Sequence, residues 1–97
     1  MDFDDLKRAI ESQHGGTAMR LESVPVKEET LDGKTIWEGV VHVFALAGNP
    51  KASKAYAWSF PVVGSNARHY FAMLHMGGIM SAQDAVRAAI VAEHRGG

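Results

Sequence analysis

The spacing of hydrophobic residues changes several times along this chain, and each change marks an element. The most regular stretch is Lys54-Ala55-Tyr56-Ala57-Trp58-Ser59-Phe60-Pro61-Val62, where Tyr56, Trp58, Phe60 and Val62 hold every second position. A pleated strand sends successive side chains to opposite faces, so this order predicts a strand over 54–63 with one bulky face and one nearly smooth face. Something large must cover the aromatic side: helices of the same chain, a second copy, or a ligand.

Elsewhere the period alternates between helix and strand. Phe3, Leu6 and Ile10 fall three and four apart with Asp2, Asp4 and Asp5 at the N-terminal end, which predicts a helix over 3–13 closed by Gly15-Gly16. Thr17, Met19 and Leu21 alternate with polar residues, then the apolar phase slips to Val24 and Val26. That slip predicts a bulged strand over 17–26, and Pro25 places it at a sheet edge. Lys27 to Lys34 reads as a polar hairpin connection turning at Asp32-Gly33. Thr35 to Leu46 is rich in β-branched and aromatic residues at both parities, the pattern of a central strand covered on both faces. After the Gly64-Ser65-Asn66 turn, Tyr70, Ala72, Leu74 and Met76 alternate, so 68–76 is read as a hairpin partner rather than a helix. Ser81 with Asp84 three residues on caps a final alanine-rich helix over 82–94.

Helix, three or four strands, helix: this order predicts one α+β domain over residues 1–97, an antiparallel meander with both helices packed on one face. Two short helices can shelter one face of such a sheet and not both. The excess predicts an interaction surface at Trp37, Tyr56, Trp58 and Phe60.

Composition narrows the function classes. Ten Lys and Arg oppose eleven Asp and Glu, without the basic excess from which nucleic-acid binders draw affinity. There is no cysteine, which removes disulfides, thiolate catalysis and Cys-based zinc sites and favours a cytoplasmic location. The acidic N-terminal residues do not read as a signal peptide, and no apolar run suffices to span a membrane.

Candidate chemistry is sparse. His69 and His75 lie six apart, about 20 Å along a strand, too far to share a metal. His14 and His94 complement helix C-termini. No serine stands in a nucleophile pattern, and Gly77-Gly78 lacks the lysine of a phosphate loop, so neither catalysis, a metal nor a cofactor is expected. Glu38 and His42 share a strand face and could line a shallow polar groove; with His69 or His75 they are the polar groups available to a small-molecule pocket. The element order, though no motif, is similar to that of double-stranded-RNA-binding domains; the nucleic-acid-binding alternative would use Lys51, Lys54, Arg68 and Arg87 as phosphate contacts. Yet the last helix opens Ser81-Ala82-Gln83-Asp84, without the lysines of that family. The sequence therefore predicts a non-enzymatic protein-interaction or assembly module, whose partner is another protein or a second copy of the chain. Nucleic-acid binding and a small-molecule pocket are the alternatives.

Overall fold

A computed structural model describes residues 3–62 and 64–96, the last four by their backbone only. Its elements are α1 (Phe3–His14), β1 (Thr17–Glu29), β2 (Thr35–Ala47), β3 (Lys54–Pro61), β4 (Arg68–Leu74) and α2 (Ala82–Gly96). The strands form one antiparallel sheet in the order β1-β2-β3-β4. The α+β meander is thus as expected, with four strands and with 68–74 as the fourth. Val63, and the side chain of His94, lie outside the described residues.

The phase slip in β1 is a bulge. Arg20 pairs with Phe44 and Glu22 with Val43, leaving Leu21 without an opposite number. Beyond it Val24 and Val26 turn their backbone groups toward β2 and Pro25 turns outward, where its missing N–H costs no rung. At the foot of the sheet the turn after α1 needs glycine. Gly16 has φ 81°, and a Cβ there would lie 2.6 Å from the Ala47 carbonyl oxygen. Asn49 holds the same corner, donating from Nδ2 to the His14 carbonyl at 2.9 Å.

The placement of the helices differs from the expectation. They pack on opposite faces. Ala55 and Ala57 cluster with Leu6 and Ile10 of α1, whereas Tyr56 and Trp58, alternating with them, cluster with Ala82, Ala85 and Val86 of α2. Each face selects a helix that fits it. Alanines on β3 let the larger α1 side chains sit close, and the alanines of α2 leave room for rings. Ser81 caps α2 by accepting the Asp84 N–H at 3.1 Å, and the Asp84 carboxylate accepts the Met80 N–H at 3.2 Å. Arg87 pairs with Glu28, and Gln83 donates to the Lys27 carbonyl at 3.1 Å, fastening α2 to β1.

The sheet is not continuous to its upper end. The β2–β3 ladder runs only from Ala45–Lys54 to His42–Ala57. The β1–β2 ladder continues to Glu29–Thr35, and the β3–β4 ladder to Pro61–Arg68. Above His42 the sheet therefore forks into two hairpins, the first extending roughly 20 Å beyond the last shared rung. The cause lies in β3. Leu46 N–H donates to the Ser53 carbonyl, which sets even-numbered residues of β2, and odd-numbered residues of β3, to face one another. Ser59 and Pro61 should carry the next rungs. Pro61 has no N–H, and Arg68 donates to both the carbonyl and the hydroxyl of Ser59, at 3.2 and 2.9 Å.

Candidate functional site

The fork gathers what the sheet leaves uncovered. On its β2 side Glu38 and Val40 direct backbone N–H and C=O groups away from β1 with no ladder partner. Ile36 follows as the extra residue of a second bulge, between the Glu28–Trp37 and Glu29–Thr35 pairs. Ile36 is 51% exposed, Val40 45% and, across the fork on β3, Phe60 42%. Trp37 is half-buried and crosses Trp58 edge-on, with centroids 5.9 Å apart. From Trp58 the rings continue outward: Phe71 stacks on it at 5.4 Å, Phe60 meets Phe71 at 5.5 Å, and His69 stacks on Phe60 at 5.6 Å.

Two cavities open along this row of rings beneath α2. One of about 280 Å³ is lined by Trp37, Trp58, Phe60, Phe71, Ala89 and Ile90. Its neighbour, about 520 Å³, lies among Phe60, His69, Phe71, Met73, Ala89 and Ala92. The small side chains of Ala89 and Ala92 leave this space unfilled, and its walls are mainly apolar, with His69 the polar side chain among them.

The four residues expected to form the interaction surface divide. Tyr56 and Trp58 are 3% and 2% exposed, enclosed by α2, and form core rather than surface. The Tyr56 hydroxyl and His75 Nδ1 lie 2.5 Å apart, which satisfies the buried phenol. Burial raises the Tyr56 pKa, aided by the carboxylates of Asp84 and Glu22. Phe60 and Trp37 remain at the fork, where a partner can reach them.

Glu38 and His42 share a face but do not share a groove. Glu38 is exposed at the fork, while α1 closes over His42 and leaves it 5% exposed. Phe3 stands edge-on to the imidazole at 4.9 Å, and the Arg20 guanidinium lies 4.3 Å above the Phe3 ring. Ser23 Oγ sits 2.7 Å from Nδ1, whereas Nε2 is buried without a hydrogen-bond partner. Desolvation lowers the His42 pKa, and the Arg20 charge acts in the same direction. This is a neutral histidine locked into the core.

The four basic residues are dispersed. Lys54 pairs with Ala45 at the foot of β3, while Arg68 pairs with Pro61 at the top of β4, seven rungs or about 23 Å away and on the other face. Arg87 is engaged with Glu28, and Lys51 lies in the β2–β3 connection. They form no common patch. His69 belongs to the row of rings and His75 to the Tyr56 hydroxyl. Beside Tyr56 a separate cavity of about 320 Å³ carries Glu22 and Lys54 on a floor of Val24, Val26 and Val43.

Among the described residues no three histidine or carboxylate groups are arranged to hold a metal ion, and no helix is long and apolar enough to cross a membrane. Sequence reasoning missed Ile36, Val40 and Phe71 as parts of the site. Pro61 was the available signal, since a proline inside a strand interrupts the ladder on one side. No family model, no curated protein and no solved structure matches the chain.

Proposed function

We propose that this chain is a protein-interaction module whose forked sheet end receives an extended segment of another protein. One observation carries the reading. β2 runs past its last rung with β3, so the backbone groups of Glu38 and Val40 lack partners while Ile36, Val40 and Phe60 expose apolar surface beside them. Unpaired strand edges are templates for another strand, and main-chain hydrogen bonds then supply affinity while alternate side chains supply specificity.

The contrast with the outer edge of the same hairpin supports this. β1 is blunted by a bulge, by Pro25 and by Arg20, Lys27 and Glu29. The fork side of β2 has one charge, Glu38, between two exposed apolar residues. The aromatic row adds an apolar wall for side chains on the other face. The absence of cysteine makes the reducing cytoplasm the natural setting for such a module.

The test is a random-peptide display selection run in parallel on the wild-type chain and on an Ile36→Lys/Val40→Lys variant. Both positions are solvent-exposed, so the variant keeps the fold, which its far-ultraviolet spectrum and thermal midpoint verify. The reading expects peptides enriched by the wild type and lost by the variant. Absence of enrichment, or equal enrichment by both, contradicts it.

A further inference from the structure

We infer that the segment received at the fork carries a lysine or arginine flanked by apolar side chains at alternate positions. This rests on the interaction reading above and goes further by naming the chemistry of the partner. A strand added to β2 would place its residues directly opposite Val40 and Glu38 on the same sheet face, with Ile36 next beyond. The template therefore reads apolar and acidic, with the exposed Ile36 of the second bulge just beyond. Glu38 is exposed and forms no ion pair among the described residues. Its cross-strand neighbour Lys27 turns instead to Glu29, at 3.7 Å. A carboxylate left over on an otherwise apolar edge is complemented by one cation on the guest.

The same charge disfavours the other candidate occupant, a second copy. Two β2 edges paired antiparallel about their centre would set Glu38 opposite the partner's own Glu38, and like charges directly opposite destabilise a pair of strands. A foreign strand with a central cation avoids that repulsion and gains attraction. On the opposite face Trp37 lies over Gly39, where a Cβ would approach the ring to 3.1 Å. Guest residues pointing that way would meet the Trp37 and Phe60 rings rather than open solvent, so apolar residues fit there too.

The experiment uses two synthetic peptides of alternating valine and threonine, identical except for a central lysine or glutamate, titrated into wild-type protein and Glu38→Lys by fluorescence anisotropy. The wild type is expected to prefer the lysine peptide about two- to fivefold, the range of a cross-strand charge pair, and Glu38→Lys to reverse that preference. The preference should shrink as salt is raised. A preference unchanged by Glu38→Lys, no preference, or no binding of either peptide overturns the inference. Peptides selected at the fork without a basic residue would do so while leaving the interaction reading intact. An empty selection removes both. If sedimentation shows the wild type self-associating through this edge, the second copy is the occupant and the inference falls.

Discussion

Trp58 and Phe60 stand two residues apart on one strand face, and the packing assigns them opposite roles. Trp58 is 2% exposed, between the edge of Trp37 and the stacked ring of Phe71. Trp58→Ala removes a buried indole and leaves a cavity that α2 and the sheet cannot close. Losses of about 3–5 kcal/mol are usual for such changes, of which each ring contact accounts for about 0.5–1.5. A domain of this size holds about 5–15 kcal/mol in total, so the variant should lose a large share of it, with a thermal midpoint lower by roughly 15–30 °C. Phe60 is 42% exposed and buries somewhat more than half its side chain. Scaling the roughly 1.5–3 kcal/mol of full burial gives a cost of about 1–1.5 kcal/mol for Phe60→Ala. Urea unfolding of the two variants should therefore differ by about 1.5–4 kcal/mol, while Phe60→Ala alone loses fork peptides without unfolding. Equal destabilisation would mean that α2 does not separate the two rings as described, and the division between core and site would fail.

Three further outcomes follow from the same packing. His42 has a folded-state pKa below its ordinary value near 6.5, so the unfolded chain binds its proton more readily. Stability from this group is full above about pH 6.5 and is lost as pH falls through the depressed folded value; His42→Phe should flatten thermal midpoints measured across that window. Gly16→Ala should cost more than Gly15→Ala in urea unfolding. Both glycines have positive φ, worth about 1–2 kcal/mol to an L residue, but only Gly16 would also drive a Cβ against the Ala47 carbonyl. Glu38→Gln removes the charge that opposes pairing between copies, so sedimentation at high concentration should show more self-association than the wild type.

The fold was legible where a periodic signal had one interpretation. Phe3, Leu6 and Ile10 gave α1, the alternation through Tyr56 and Trp58 gave β3, and the slip between Leu21 and Val24 gave the bulge. Ser81 and Asp84 marked the start of α2 through the cap they form. Which face each helix would cover was not legible, because it depends on matching side-chain volumes across layers. Alanines at 55 and 57 were read as a smooth face rather than as a seat for Leu6 and Ile10. Tyr56 and Trp58, expected at the surface, therefore lie in the core, and the aromatic surface is smaller than the alternation implies. In β2, apolar residues at both parities point to a central strand at least partly covered on both faces, yet the upper half of the strand loses its β3 neighbour. That loss originates in Ser59 and Pro61, on a different strand, and a pattern read along β2 carries no trace of it. Glu38 stood out because one acid interrupts an apolar run. Its meaning required the register that sets it on an open edge.

Amide hydrogen exchange followed residue by residue by NMR tests the fork most directly. Gly39 and Val41 turn their N–H groups to β1 and should exchange slowly, whereas Glu38 and Val40 turn theirs into the fork and should exchange fast in the free protein. Addition of a lysine-bearing strand peptide should slow Glu38 and Val40 and leave Gly39 and Val41 nearly unchanged. Equal protection of all four amides in the free protein would mean that β3 pairs with β2 along its full length, with no open edge to fill.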